Sequence, residues 1–304
     1  MFTIPQMIWH LQQTNQKAYS LAFLRVALSS WFLKELLFRW PAFEVLYSNH
    51  SFLKVTPSNA LYLFRLSPVW LRDHYMMMLY ACIALLLLNI VGIGKNIVSL
   101  LLFIALTLLY SINDKFSNSG DEMAMLLVFY LSFANTFSHF TLLKQRPLPL
   151  PKQKVYNLVS NLALYSILFN LCLSYFMAGL YKTQDPYWQH GTAIHYFLND
   201  WRYSILAGSN HVAAPAILIY ILTYSTILFE LSFPFLVWFR RSRTVVLLLG
   251  LMMHLGIYLF LMIYGMSVIF IIQYALFFSD EEIGPVIKKV KNLMPFKNRK
   301  RIEE

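Results

Sequence analysis

Thirty-five consecutive residues without a charge, Thr244 to Phe278, constrain this chain more than any other feature. As one helix the run would be about 52 Å long at 1.5 Å per residue, against a bilayer core of about 30 Å. It must either tilt strongly or divide in two. Gly265 separates it into two shorter apolar parts. Apolar stretches near 18–40, 74–93, 96–112, 122–142, 157–180 and 212–238 approach or exceed the ~20 residues that span a bilayer. Only 13% of the chain is charged and 58% is hydrophobic, where a soluble domain carries roughly a quarter charged residues. The expected fold is an all-α integral membrane protein, a polytopic helical bundle. It has about eight crossings, or seven if 244–278 is a single helix. Residues 1–17 form the expected interfacial segment, 18–280 the transmembrane domain and 281–304 a basic tail.

The distribution of charge sets the expected orientation. A net charge of +11 raises the question of nucleic acid, but most Lys and Arg lie in short clusters beside apolar runs, where the positive-inside rule places them against an anionic cytoplasmic leaflet. No nucleic-acid partner is expected; the bilayer is. Lys144, Arg146, Lys152 and Lys154 in the linker KQRPLPLPKQK, then Arg240, Arg241 and Arg243, mark two cytoplasmic loops. The tail, with Lys288, Lys289, Lys291, Lys297, Arg299, Lys300 and Arg301, belongs on the same side. Two crossings after Arg243 satisfy that, so the split of 244–278 is favoured and both termini are cytoplasmic. The loops 41–73, 113–121 and 181–211 then face outward. At the start, Ile4, Met7, Ile8 and Leu11 share one face at helical spacing beside Trp9, which suits a helix lying in the membrane interface and not a cleaved signal. Cys82 and Cys172 sit within apolar segments and read as packed thiols.

A charge at mid-bilayer costs about 2.5–3.5 kcal/mol on insertion scales, so charges inside spans are functional candidates. The first span holds Arg25, Lys34 and Glu35, with Arg39 at its end. Lys34, Glu35 and Arg39 can reach the outer surface, and Arg25 can snorkel toward the opposite one. Glu230 lies inside an otherwise uncharged run from Val212 to Trp238 and must face the bundle. It serves either as half of a structural pair or as a proton carrier. His254, in GLMMHLGIYL, is either a satisfied core histidine or a functional one. The densest polar cluster is GLYKTQDPYWQHG, where Lys182 would meet the boundary of hydrocarbon and water. There it is either a base whose ammonium is disfavoured by desolvation or an anchor beside the aromatic residues Tyr181, Tyr187 and Trp188. His190 and His195 do not make a metal site, and no HExxH, Walker loop, GxSxG or CxxC occurs.

YFMAGLYKTQDPYWQHGTAIHYFL resembles the signature of the HTTM family, to which vitamin K-dependent gamma-carboxylase belongs. LRVALSSWFLKELLFRWP resembles the family's first helix, SGDEMAMLLVFYLSFAN the start of its outer-facing polar helix, and FELSFPFLVWFRRSRTVVLLLGLMMHLGIYL its late helices. The likeness runs over roughly 18–280. By this resemblance Lys182 stands where the carboxylase has the base that deprotonates reduced vitamin K, and His254 looks like the late-helix histidine. A reduced quinone is the implied cofactor, with no metal. The implied chemistry is quinol deprotonation, reaction with oxygen and removal of a proton from a substrate carbon. Two departures turn the expectation away from carboxylation itself: Gly120, Asp121 and Glu122 replace a histidine at the start of the polar helix, and a short basic tail stands where the carboxylase carries a lumenal domain. Trp188, Gly191, Thr192, Ala193, Ile194, Tyr196 and Phe197 match a WxxGTAIxYF pattern of a bacterial subset of the family, which includes a protein required to mature a sporulation-delaying peptide toxin. The implied partner is a small exported peptide.

Two readings follow. In the first, a quinone- or lipid-linked enzyme of the cell membrane modifies an exported peptide, with Lys182, Glu230 and His254 catalytic. Arg25, Asp121, Glu122, Trp188, Gly191 and Arg202 then bind substrate or cofactor. In the second, a non-catalytic membrane factor holds a peptide precursor for maturation or export. The enzyme needs Lys182 and Glu230 to converge on an outward, aromatic-lined cavity. A scaffold leaves Lys182 among lipid headgroups.

Overall fold

The computed structural model describes residues 4–48, 67–113, 117–143, 148–208 and 214–293, and every regular element among them is helical. Lys144 and Arg146 of the basic linker, residues 49–66 of the first outer loop and the tail cations Lys297, Arg299, Lys300 and Arg301 lie outside them.

A short amphipathic helix, α1 (Ile4–Gln13), leads into α2 (Ala18–Arg39), the central helix of the bundle. Leu21, Leu24, Leu28, Phe32 and Leu36 recur at three- and four-residue spacing on α2 and are fully buried. Two short helices follow, α3 (Phe43–Tyr47) and α4 (Pro68–Asp73). Next comes an apolar hairpin, α5 (Tyr75–Val91) and α6 (Lys95–Ser111), that packs on α2 and on α7 (Ser119–Leu131). Its turn needs left-handed backbone at Gly92 and Gly94, with φ of 81° and 88°.

The 35-residue α8 (Leu150–Gln184) starts within the Pro-rich linker and carries its Lys152 and Lys154 in the first turns. Past it lie α9 (Pro186–Gln189) and α10 (Ala193–Asn199), then α11 (Ala216–Leu236), which packs along α8. The uncharged run 244–278 is two helices, α12 (Arg240–Phe260) and α13 (Tyr264–Gln273). The break falls at Leu261–Ile263, where Met262 takes a left-handed φ of 51°, and not at Gly265. Gly265 instead packs close to Asn118 and Trp31. The chain ends in α14 (Asp280–Leu293). Among the described residues, α8, α11 and α12 are long and apolar enough to cross a membrane, while α5, α6 and Tyr264–Phe277 are shorter apolar helices. The expected eight crossings therefore depend on elements shorter than a standard span.

The expected span 122–142 departs most from the structure. It is helical only to Leu131, and residues 132–143 run irregularly, buried at Ser132, Ala134, Thr136 and Phe137 and exposed at Phe140, Leu142 and Leu143. Away from water, such backbone survives only where its polar groups are met internally. Arg25 does this. Nε donates to Thr136 O at 3.2 Å, and Nη2 donates to His139 O and Phe140 O at 3.2 and 2.6 Å. Nη1 donates to the carbonyls of Asn89 and Ile90 in the last turn of α5, where unpaired carbonyls and the negative end of the helix dipole favour a cation. All five guanidinium donors are used, and the Phe137 ring lies 4.7 Å away. At 1% exposure Arg25 does not snorkel. Asn96 adds bonds to Ser132 O and Ala134 O, both 2.8 Å, and Ser160 accepts from Asn135 N at 2.8 Å.

The two ends of the bundle domain are tied together. The Asp280 carboxylate accepts from the backbone N–H groups of Ala18 and Tyr19 at 2.8 and 3.0 Å, capping α2 from the far end of the sequence. Lys17 Nζ donates to Phe278 O at 3.1 Å, and Arg243 donates to Phe277 O at 3.0 Å and to Glu282. Asn161 holds the Leu11 and Thr14 carbonyls against the first half of α8. Ile4, Met7, Ile8 and Trp9 remain exposed on α1.

Replacing Arg25 tests the account of the irregular segment. Arg25→Leu should lower the unfolding midpoint of the detergent-solubilised protein sharply, on the order of 3–5 kcal/mol of stability. Arg25→Lys, with three donors in place of five, should recover only part of it. Wild-type midpoints for both variants would refute the hub.

Candidate active site

The site is built on the last turns of α8 and the facing stretch of α11. Gly179 lets the helices approach: a Cβ there would meet the Leu231 side chain at 2.9 Å and Glu230 Cβ at 3.2 Å. One turn further, on the same face, Lys182 reaches across. Its Nζ donates to both carboxylate oxygens of Glu230 at 2.8 Å. The lysine side chain is 21% exposed and the glutamate 8%. Lys182 therefore points into the bundle, against a carboxylate that has no other cation in contact among the described residues.

The chain after α8 folds back over this pair. Asp185 accepts from the backbone N–H groups of Tyr187 and Trp188 and starts α9. That turn lays the buried Trp188 beside Lys182, with Nζ 5.0 Å from its ring. Gly191 is required twice over: its φ is 72°, and a Cβ would lie 2.4 Å from the Tyr220 ring on α11. Tyr224 OH fixes the same turn by donating to Gln189 O at 2.8 Å. On the far side of Trp188 lies a cleft of about 220 Å³ that includes Arg202. Arg202 is exposed and forms a paired contact with Asp200, 2.7 Å from Nη2 to Oδ2.

Seven residues before Lys182, and so on the same face of α8, Tyr175 is buried deep in the bundle. Its hydroxyl lies 2.7 Å from His254 Nε2 and 2.5 Å from Tyr274 OH. Phe229 and Phe233, on either side of Glu230 in sequence, both contact its ring. Gly250, one turn before His254 on α12, makes room for Tyr274: a Cβ there would lie 2.2 Å from the Tyr274 hydroxyl. His254 Nδ1 is buried without a partner among the described residues. Sequence reading did not single out Tyr175 or Tyr274. Their usable signals were the seven-residue step to Lys182 and the Gly250–His254 spacing.

The remaining candidates lie elsewhere. Arg25 serves the irregular segment near Ser160, about 33 Å along α8 from Lys182 at 1.5 Å per residue. Asp121 is fully buried and pairs with Arg39 at 3.2 Å, and Arg39 also meets Glu35 at 3.1 Å. Asp121 joins Asn118 in a capping box that starts α7. Glu122 beside it is exposed. Tyr47 and Tyr110 flank this cluster beside Arg39, and Tyr110 OH and Asp121 Oδ1 are buried without a partner among the described residues. Among those residues, no group of three His, Cys, Asp or Glu side chains could hold a metal ion. Cys82 and Cys172 are free and buried.

If Lys182 and Glu230 act as a unit, Lys182→Met strands a buried carboxylate and should destabilise by up to about 3 kcal/mol, less than a fully buried pair because Lys182 is partly exposed. Adding Glu230→Gln should restore most of the loss in the same unfolding assay. An additive double variant would mean the two do not interact.

Neither the curated proteins nor the solved structures contain a match to this chain. The HTTM domain matches over residues 15–281, from just before the Asp280-capped start of α2 to the capping residue itself and one beyond. That match takes in the Lys182–Glu230 pair, the Trp188 turn and the His254 cluster together, and the chain belongs to the HTTM family.

Proposed function

We propose that this membrane protein is a quinone- or lipid-linked enzyme that modifies a small exported peptide. The observation that carries the reading is the Lys182–Glu230 pair, drawn inward beneath Trp188. A holding factor gains nothing from taking an ion pair out of water, because desolvation offsets much of the attraction. An enzyme does, because the pair can hold a proton in two places. Transfer across the 2.8 Å contact leaves a neutral amine on Lys182 and a neutral acid on Glu230, with charge conserved. The amine can then take a proton from an acidic hydroxyl, so that the ammonium that forms pairs with the resulting oxyanion while Glu230 holds the first proton.

A reduced quinone, as the family suggests, fits two features of the chain. Lys182 supplies a base beside an aromatic wall, and an apolar groove of about 480 Å³ follows the α8–α11 seam past Phe176, Pro234 and Phe235. When bound, the quinol would supply reducing equivalents and a reaction with oxygen; the residues here would bind it and take its proton. Tyr175, Tyr274 and His254 hold the inner side of the same seam through two hydrogen bonds that meet at the Tyr175 hydroxyl. Asp121 and Arg39 belong to another polar cluster, which argues for a role in supporting α7 and not in the reaction.

The proposed topology keeps both termini cytoplasmic, eight crossings and the Lys182 end outside. The contact of Arg243 with Phe277 O supports it, since both ends of the 244–278 run then lie at one face.

Lys182→Met and Lys182→Arg should each abolish the mass change of short secreted peptides co-expressed with the protein in a membrane preparation. An unchanged product with both variants removes Lys182 as the base. For topology, a cysteine placed in the tail beyond Leu293 should resist a membrane-impermeant maleimide added to intact cells, against the low background expected of two buried thiols. Labelling from outside would overturn the eight-crossing arrangement.

A further inference from the structure

The cleft outside Trp188 has a chemistry of its own. Its walls are the rings of Tyr187, Trp188, Tyr196, Phe197 and Tyr203. They pack as a pair and a trio, with centroids 4.5 Å apart for Tyr187 and Tyr196, 6.1 Å for Trp188 and Phe197, and 6.2 Å for Phe197 and Tyr203. Three charged side chains complete it, Asp185, Asp200 and Arg202. Two carboxylates and one guanidinium give a formal charge of −1, in a chain whose net charge is +11. Arg202 does not offer its full charge to a ligand, because Nε and Nη2 are both engaged by Asp200. Those bonds hold the Asp200 carboxyl below the usual range, so it is ionised at neutral pH. Asp185 spends one oxygen, Oδ1, on the α9 N–H groups.

Aromatic faces beside carboxylates attract organic cations through both the ring quadrupole and direct charge. Size limits the choice. At about 220 Å³ the cleft is smaller than the ~300–1,000 Å³ typical of sites for whole small molecules. We propose that it receives one cationic side chain, a lysine or arginine, of an extended peptide. A phospholipid amine is disfavoured, because its phosphodiester would follow the amine into a cleft of net negative charge whose one guanidinium is already paired with Asp200. Position gives the binding a purpose. Trp188 lines the cleft and also lies against the Lys182 ammonium, so a peptide anchored there carries its neighbouring residues past the pair. This inference names the substrate feature read by the proposed peptide-modifying site and takes its purpose from that reading; the binding itself can be measured without any activity.

The test titrates the full-length protein in phosphatidylcholine nanodiscs with N-acetyl-lysine amide, its neutral isostere N-acetyl-norleucine amide and phosphoethanolamine, followed by saturation-transfer NMR. The lysine derivative should bind at least ~10-fold tighter than the norleucine one, as expected for a charge-assisted contact. Asp185→Asn with Asp200→Asn, which keeps an amide able to cap α9, should reduce that preference to under about threefold. Arg202→Gln should strengthen lysine binding severalfold, a gain that a misfolded variant cannot show. No lysine preference in the wild type, an undiminished preference in the double variant, or phosphoethanolamine binding as tightly as the lysine derivative would each overturn the proposal. Lys182→Met should retain the preference. A protein that prefers lysine but whose peptide products ignore Lys182 variants would keep the cleft and lose the catalytic reading; the reverse pattern would lose only the cleft.

Discussion

The fold depends on one guanidinium group that uses all five of its donors on backbone carbonyls. Residues 132–143 follow no regular path, yet Ala134, Thr136 and Phe137 are buried in a bundle whose surroundings offer little water. Each carbonyl left without a partner there would cost roughly 1–3 kcal/mol. Arg25 meets those of Thr136, His139 and Phe140 and, with the same head, closes the end of α5. A fixed charge held by carbonyl dipoles needs no carboxylate, and among the described residues no acidic side chain contacts it. This arrangement lets the chain pass from α7 to α8 without a further full span, and so lets α8 start against α1 and run on beside α11.

At the other end of α8 the organising groups are small. Gly179, Gly191 and Gly250 each occupy a spot where a methyl group would strike a neighbouring side chain. Each also leaves a polar group where a larger residue would have displaced it: Glu230 under Lys182, the Trp188 turn on α11, and the Tyr274 hydroxyl beside Tyr175. Packing that tight keeps the pair and the tyrosine–histidine cluster in fixed geometry, as a site that handles protons requires. The Arg39–Asp121 cluster shows the contrast. It has charges and buried hydroxyls of its own, but its carboxylate is committed to a cation and a helix cap.

Much of this was legible before any coordinates. Cost alone singled out Glu230, because a charge inside an apolar run is expensive enough to need a reason, while Lys182 stood out in the densest polar cluster and by its match to the family signature. Other features were hidden because their signal is not local. Arg25 looked like a snorkelling residue, since its partners are backbone atoms 64 to 115 residues away and carry no side-chain identity. Residues 122–142 looked like a span because hydrophobicity does not reveal that the backbone past Leu131 is held open by Arg25 and Asn96. Tyr175 and Tyr274 passed for ordinary aromatic core because a hydroxyl in an apolar helix shows its use only when its partner from another helix is known. The break at Met262 and not at Gly265 has a related cause: Gly265 is needed for close packing against Asn118, so the turn is made a few residues earlier.

The cap that Asp280 places on α2 has a geometric consequence. Ala18 and Asp280 are hydrogen-bonded neighbours, so the path of the chain from one to the other is nearly a closed curve. A closed curve meets any plane an even number of times. In a bilayer, the segment between those residues would leave and re-enter each face in matched pairs, a parity that one carboxylate and two amide hydrogens would impose.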